Sequence, residues 1–286
     1  MSLRIWHQSF TVLEDLPAYH VGLRERIAQI VRPGTEVVMH GQIEGTYPSS
    51  YPGTDLAYGA LYWMHGLQWL AAAREAQKQG FDAMVLASIP SPMIREIRTL
   101  VDIPVVGYGE TVFHLSGLYG RRAGMIFFNT TRRDFWPEQV RQWGVAERFA
   151  GIDEAGVSFD EVVAAYTDGA KLSGVIAKVV EHATRFVQEQ SVDVLIAGEM
   201  PLNLLLSKAR ITEIGGATVM DGLATCFKMA ETLVERCIGT TSFSEQTAQL
   251  SRTLFHLLVP LDLKDAVRQS GNLVLVALPF FFKQFE

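Results

Sequence analysis

Polar side chains follow four short apolar runs of this chain, and their types suit proton transfer and the binding of a small polar molecule. The four segments are 6–9 (Trp-His-Gln-Ser), 88–91 (Ser-Ile-Pro-Ser), 129–131 (Asn-Thr-Thr) and 198–200 (Gly-Glu-Met). A carboxyl group such as that of Glu199 can exchange a proton once burial moves its pKa from about 4.3 towards about 6–7. The hydroxyl and amide groups of the other segments can form hydrogen bonds with a substrate.

Two of these segments also have a purely structural explanation. Ser91 precedes Pro92, and a serine cap followed by a proline in the first turn predicts that a helix begins there. Asn129, Thr130 and Thr131 follow a predicted strand and precede a predicted helix, where they could hold a substrate carboxylate or only cap the helix. The sequence leaves both explanations open.

Apolar runs alternate with amphipathic segments along the chain. Because the runs are apolar throughout, they predict buried parallel strands over 36–39, 83–87, 104–107, 124–128, 193–197 and 217–220. Helices are predicted over 61–79, from the capping-box pattern at Ser158 to about residue 190, and from Asp221 to Gly239. This alternation predicts an α/β fold with parallel sheets flanked by helices, in which ligands bind beyond the carboxyl ends of the strands.

The composition of the 286 residues argues against nucleic acid and membranes as partners. The formal net charge is −6 and basic residues occur at most in pairs, which is not the pattern of a protein that binds a phosphate backbone. No apolar run reaches the ~20 residues of a membrane helix, and the N-terminal sequence lacks the apolar core of a signal peptide. We therefore expect a cytoplasmic protein.

The cysteines and histidines predict neither a disulfide nor a metal site. Cys226 and Cys237 lie in one predicted helix, so their Cα atoms should be ~16 Å apart, too far for a disulfide. His7, His65 and His114 are scattered and lack the spacing of metal ligands. We expect no metal ion.

Several segments resemble the aspartate/glutamate/hydantoin racemase superfamily in their order and spacing. They are Ala-Ser-Ile-Pro-Ser-Pro at 87–92, Pro-Val-Val-Gly-Tyr-Gly-Glu at 104–110, Val-Leu-Ile-Ala-Gly-Glu at 194–199 and Val-Met-Asp-Gly at 219–222. The resemblance covers roughly residues 1–240, and its most specific segment is 104–110. It implies two similar lobes with parallel sheets flanked by helices and an active-site cleft between the lobes.

The resemblance also implies a division of the chain. The first lobe is expected to contain residues 1–112 together with about 220–286, and the second lobe about 113–219. The segment from about Gln249 onward lies outside the alternating pattern and could form a C-terminal arm or a subunit contact, so a homo-oligomer stays open.

This sequence departs from the superfamily where each lobe contributes a cysteine to the active site. By the resemblance, the first cysteine position falls on Ser88 and the second on Glu199. Racemisation needs one group that removes a proton and a second that donates one on the opposite face. An unassisted serine does this poorly, whereas a buried carboxyl group is competent, so Glu199 is expected to carry the proton and Ser88 to donate a hydrogen bond. The resemblance also places Gln8 and Ser9 at the polar head of the substrate.

The resemblance implies a cofactor-independent isomerase or lyase for a small carboxylate or cyclic amide. Two alternatives stay open: a hydrolase in which Glu199 activates water to open a cyclic amide, and a non-catalytic protein that keeps the cleft for binding. The irregular segment 47–53 could supply aromatic walls to that cleft. The predicted site residues are Glu199 and Ser88 for catalysis, and Gln8, Ser9, Ser91, Asn129, Thr130 and Thr131 for substrate binding.

Overall fold

Two β-sheets form the centre of the molecule. The computed structural model describes residues 2–48, 51–53, 58–128 and 135–236. In the first sheet all strands are parallel and lie in the order β2-β1-β3-β4. Their ranges are β1 Leu3–Gln8, β2 Thr35–His40, β3 Ala83–Leu86 and β4 Val105–Gly107.

The second sheet has five described strands in the order β6-β5-β7-β9-β8. Their ranges are β5 Ala123–Phe127, β6 Phe149–Glu154, β7 Val194–Ala197, β8 Glu213–Ile214 and β9 Ala217–Met220. All neighbours pair in parallel except β8, which pairs antiparallel with β9. The parallel order brings the carboxyl ends of β5, β7 and β9 to one edge of this sheet.

Helices connect the strands and cover the sheets, as expected for parallel strands that need crossover connections. Their ranges are α1 Pro17–Ile30, α2 Gly59–Lys78, α3 Ile94–Leu100, α4 Tyr108–Ser116, α5 Phe135–Gln142, α6 Phe159–Ala165, α7 Gly169–Gln190, α8 Met200–Lys208 and α9 Gly222–Glu235. The α/β class with parallel sheets is confirmed, and each predicted strand is present.

The apolar core differs between the two faces of the first sheet. Because successive side chains of a strand point to opposite faces, Ile5 and Trp6 of β1 enter different clusters. Ile5 belongs to a core that also contains Ile196 of the second sheet and Leu223 of α9, while Trp6 packs in a separate cluster with Trp69 of α2. Helix α9 follows the second sheet in sequence but packs against α1, α4, β3 and β4.

Local sequence signals explain several helix boundaries and fail at one. Ser158 forms the predicted capping box with Glu161, and Asp221 caps α9 by accepting a hydrogen bond from the Ala224 N–H. The prediction of a helix start at Ser91 is wrong, because α3 begins at Ile94 after Met93, whose φ is 58°. The Ser91 hydroxyl instead donates to the Ser88 carbonyl oxygen at 3.1 Å and closes a turn.

Candidate active site

An open cavity lies where strand ends of both sheets meet. The open space in and in front of it, solvent included, is about 790 Å³, and its wall includes Ser9, Ser88, Phe128 and Glu199, which follow β1, β3, β5 and β7. This is the edge at which parallel sheets bind ligands. The other lining residues are Phe10, Thr11, Tyr19, Tyr51, Pro52, Gly53, Ala87, Ile89, Pro90, Phe127, Phe135, Trp136, Phe159, Gly198, Met200 and Pro201.

Glu199 is held by two hydrogen bonds, one to each carboxyl oxygen. The Tyr51 hydroxyl donates to Oε1 at 2.8 Å, and the Phe128 N–H donates to Oε2 at 2.8 Å. The residue lies between β7 and α8, and the preceding Gly198 allows the chain to pass close to Phe127, since a Cβ at that glycine would collide with the Phe127 ring. The sequence therefore places a carboxyl group in the cavity at a fixed orientation.

The surroundings of Glu199 favour its protonated form. Burial disfavours the carboxylate and raises the pKa of Glu199 from 4.5 to about 8, although the hydrogen bonds from Phe128 and Tyr51 act in the opposite direction. A carboxyl group with this pKa is divided between its acid and base forms near neutral pH. That division is what a group needs to accept and to return a proton.

Ser88 lies on the part of the cavity wall that the first sheet provides. It lies two residues after Leu86, the last residue of β3, and it is half-buried. Its hydroxyl makes no hydrogen bond to another residue within the described ranges, and it has no histidine or carboxylate partner there that could act as its base. The hydroxyl can therefore donate a hydrogen bond to a molecule in the cavity but is not activated as a nucleophile.

Ser9 also lines the cavity and belongs to a cluster of hydroxyl groups that follows β1. Its Oγ lies 2.8 Å from Thr11 Oγ1 and accepts a hydrogen bond from the Thr11 N–H at 3.2 Å. Tyr19 lies beside Ser9 and also contributes to the wall. These groups add polar atoms to the side of the cavity that holds Ser88.

Two predicted substrate contacts lie outside the cavity wall. Gln8 is buried, accepts a hydrogen bond from Trp6 Nε1, and donates to the Gly41 carbonyl oxygen at 2.8 Å. It therefore supports the segments after β1 and β2 instead of facing the cavity. Ser91 is also buried, and its hydroxyl closes the turn after Ser88. The polar atoms of both side chains form hydrogen bonds within the protein.

Three further predicted contacts cannot be compared with the structure. Asn129, Thr130 and Thr131 lie outside the described residues, although Phe128 immediately before them lines the cavity. Their role stays a prediction.

The sequence did not identify the partners of Glu199. Tyr51 contacts it from 148 positions away, and its ring stacks on Phe159 with centroids 4.9 Å apart. Phe128 packs edge-on against both rings, at 6.0 Å from Tyr51 and 5.9 Å from Phe159. The one signal was the aromatic segment 47–53, whose last residues do line the cavity, but nothing local in the sequence indicates which group Tyr51 meets.

A polar network lies behind Glu199 and joins elements of the two sheets. Tyr108, at the start of α4, donates to the carbonyl oxygen of Ala197 at 2.9 Å. Asn203 of α8 donates to Asp221 and accepts from the Gly222 N–H at 2.8 Å. These contacts fix the end of β7 and the start of α8, the two elements between which Glu199 lies.

The described residues contain no group of three or more His, Cys, Asp or Glu side chains that could hold a metal ion. Cys226 is buried in α9, outside the cavity wall, and burial raises the pKa of its thiol. Among the described helices, none has the length and apolar character needed to cross a membrane.

Comparison with known proteins agrees with this α/β architecture. The family model described as Asp/Glu/Hydantoin racemase matches residues 24–230, which is most of the chain. The chain therefore belongs to the Asp/Glu/hydantoin racemase family, as the resemblance in its sequence implied.

Individual relatives are distant in sequence. A hydantoin racemase from Rhizobium meliloti is 24% identical over 199 residues, which cover 68% of this chain and 77% of that protein. One from Paenarthrobacter aurescens is 25% identical over 153 residues, covering 54% of this chain but only 61% of that protein's length. The structure of allantoin racemase from Klebsiella pneumoniae has a TM-score of 0.66 at 21% identity and covers 85% of this chain and 92% of its own, which shows a shared fold.

Proposed function

We propose that this protein is a cofactor-independent isomerase that moves a proton at a carbon next to the carbonyl group of a cyclic amide, with Glu199 as the proton carrier. The observation that carries the proposal is the Glu199 carboxyl group, which lines the cavity and has a pKa raised to about 8. At about pH 7 roughly a tenth of such a group is ionised, so both the base and the acid form are available.

The proposed step begins with the Glu199 carboxylate. The carboxylate takes the proton from the substrate carbon, so an O–H bond forms while the C–H bond breaks. The electron pair of that C–H bond moves towards the neighbouring carbonyl oxygen and gives an enolate. The Ser88 hydroxyl, on the wall formed by the first sheet, is the proposed donor of a hydrogen bond to the developing charge. A water molecule on the opposite face of the planar enolate then donates a proton to the carbon, which inverts its configuration. The hydroxide that forms takes the proton from Glu199, so water and the Glu199 carboxylate are both restored.

Charge in the cavity supports a cyclic amide over a free carboxylate as substrate. Among the described lining residues there is no lysine or arginine, and Glu199 is the single acidic side chain. A carboxylate substrate would meet a like charge whenever Glu199 is in its base form, whereas a neutral amide would not. The names of the curated relatives, which are hydantoin racemases, support the same choice.

The apolar part of the wall supports a bulky apolar substituent on the reacting carbon. Phe127, Phe128, Phe135, Trp136 and Phe159 line the cavity, and the Phe127 and Trp136 rings lie 4.8 Å apart. When an aromatic ring of the substrate packs against such a wall and leaves water, the binding free energy becomes more favourable in proportion to the buried area. We therefore expect tighter binding of an arylmethyl-substituted ring than of a methyl-substituted one.

The test uses single enantiomers of benzylhydantoin and methylhydantoin, each substituted at the stereogenic ring carbon, in deuterium oxide. Proton NMR measures loss of the carbon-bound proton, and chiral chromatography measures inversion. We expect both, with a lower KM for the benzyl compound, and we expect the Glu199→Gln variant to lose both. The Glu96→Gln variant, which changes an exposed carboxylate on α3, is the control.

Other outcomes would replace the proposal with a different function. Ring opening with oxygen from labelled water, and no deuterium on carbon, would indicate a hydrolase. Binding of these compounds in calorimetry with neither exchange nor ring opening would indicate a binding protein. Exchange with aspartate or glutamate but with no hydantoin would overturn the cyclic amide as the substrate class.

A further inference from the structure

We infer that Tyr51 is a positioning residue whose hydroxyl keeps a hydrogen bond to the Glu199 carboxyl group in both of its protonation states. This goes beyond the proposed function, because it concerns the behaviour of the carboxyl group and can be measured without a substrate. Its consequence for turnover rests on the proposed function.

The two donors to Glu199 differ in what they can accept. The Phe128 N–H that reaches Oε2 at 2.8 Å can only donate, so Oε2 has to remain an acceptor. The Tyr51 hydroxyl that reaches Oε1 at 2.8 Å can donate to a carboxylate and, after rotation, accept from a carboxylic acid. The proton that Glu199 gains is therefore assigned to Oε1, beside Tyr51. The carboxyl group can then change its protonation state without losing either partner.

The Tyr51 ring has packing contacts in addition to this hydrogen bond. The ring stacks on Phe159 with an interplanar angle of 28° and packs edge-on against Phe128 at 70°. A phenylalanine at position 51 keeps these ring contacts and removes only the hydroxyl. The Tyr51→Phe variant therefore isolates the hydrogen bond from the packing.

Few other ionisable groups face Glu199. Tyr19 lines the cavity beside Ser9, and Tyr108 lies behind β7. Burial raises the pKa of both phenols, so both side chains stay neutral. The elements that pack around the carboxyl group, β5, β7, α6 and α8, contribute no lysine, arginine or second carboxylate to the described cavity wall. The Tyr51 hydroxyl is thus the side-chain donor whose removal should change the Glu199 titration.

The experiment is a pH titration of Glu199 in the full-length protein labelled with carbon-13 at the glutamate carboxyl carbon. The resonance that disappears in Glu199→Gln identifies the residue. Loss of the hydroxyl in Tyr51→Phe should raise the midpoint by about one pH unit, because the hydrogen bond that it donates to the carboxylate is stronger than the one that it accepts from the carboxylic acid. Replacement of Tyr51 by a fluorotyrosine, whose hydroxyl is a stronger donor, should lower the midpoint. The control is Tyr47→Phe in the same segment as Tyr51. It removes a hydroxyl that donates to the Phe10 carbonyl oxygen and not to Glu199.

The inference fails if Tyr51→Phe leaves the Glu199 midpoint unchanged, or if Tyr47→Phe shifts it equally. It also fails if fluorotyrosine and phenylalanine shift the midpoint in the same direction. For the reaction, Tyr51→Phe should lower kcat/KM about tenfold at about pH 7 and recover as the pH rises. A shifted titration in a protein that exchanges no substrate proton would leave the role of Tyr51 intact and overturn only the proposed function.

Discussion

Glu199 and Asp221 occupy equivalent places in the second sheet but have opposite electrostatic surroundings. They follow the neighbouring strands β7 and β9, and each stands at the residue before a helix, α8 or α9. Only Asp221 uses its carboxylate to cap its helix. The pKa of Glu199 is raised to about 8, whereas that of Asp221 is lowered.

The number and charge of the donors account for the difference. Burial alone would raise the pKa of Asp221, but hydrogen bonds from the Ala224 N–H, Arg26 and Asn203 outweigh it. Arg26 Nη2 lies 2.7 Å from Asp221 Oδ2, and the Ser207 hydroxyl donates to the same oxygen at 2.9 Å. Glu199 has two neutral donors and no cation within the described wall of the cavity. A strand-end carboxylate is thus structural when its charge is neutralised, and available for proton transfer when it is not.

The largest expected effect is on turnover in the Glu199→Gln variant. The amide keeps the shape, can accept from the Phe128 N–H, and can donate to the Tyr51 oxygen, but it cannot exchange a proton. We expect kcat to fall ~100-fold or more while KM changes little. Steady-state kinetics on the hydantoin substrate measures this, with Glu96→Gln as the control. Full turnover in Glu199→Gln would make Glu199 a structural residue like Asp221.

The Asp221→Asn variant tests whether the charge of Asp221 stabilises the fold. Loss of the charge leaves the Arg26 guanidinium without its partner, and we expect the free energy of unfolding to fall by about 2 kcal/mol at about pH 7. Because folding lowers the pKa of Asp221, this contribution is present above the unfolded pKa of about 4 and is lost as the pH falls through the lower folded value.

Urea unfolding of both proteins at several pH values measures the difference. Asp168→Asn is the matched control, because Asp168 caps α7 in a similar way but is exposed, and asparagine is an equally good cap. We expect its effect to be below about 0.5 kcal/mol. Equal losses in the two variants would contradict the role given to Arg26.

Glu199→Gln should stabilise the protein at high pH. Folding raises the pKa of Glu199, so the unfolded chain releases its proton near pH 4.5 and the folded chain only near pH 8. The stability of the wild type therefore decreases across that interval, while the amide variant lacks this loss. We expect the variant to be more stable by about 4–5 kcal/mol at about pH 9 and about equal at about pH 4.5. A difference that does not grow with pH in thermal or urea unfolding would contradict the raised pKa.

The smallest expected effect is that of Ser88→Ala. If the hydroxyl donates one neutral hydrogen bond to the enolate oxygen, kcat should fall about tenfold, less than in Glu199→Gln. Ser207→Ala is the control for removal of a serine hydroxyl, because the Ser207 hydroxyl donates to Asp221 and does not line the cavity. A loss as large as that of Glu199→Gln would instead make Ser88 a second proton carrier.

The strands and the positions of Ser88 and Glu199 were predictable because they depend on local sequence. A continuous apolar run predicts a buried parallel strand, and the residue after such a strand lies at the ligand-binding edge of the sheet. This placement does not depend on contacts with distant parts of the chain. The caps at Ser158 and Asp221 were predictable for the same reason, since each depends on backbone groups within three residues.

The contacts that decide the chemistry depend on distant parts of the chain and were not predictable. The pattern that indicates a polar residue at a strand end is the same for Gln8, which donates into the fold, and for Ser9, which faces the cavity. Likewise, no local signal separates Glu199 from Asp221, because their partners Tyr51 and Arg26 are 148 and 195 positions away. The division of the chain into the two lobes proposed from the sequence stays a prediction.

The most direct test of the central claim, that Glu199 carries the proton, is the pH dependence of deuterium exchange at the substrate carbon. In the wild type, kcat/KM for exchange should rise about tenfold per pH unit below about pH 8 and level off above it, since the ionised carboxylate is the base. Glu199→Gln should remove both the exchange and the pH-dependent rise. A Glu199→Gln variant that exchanges at the wild-type rate with the same profile would show that another group is the base.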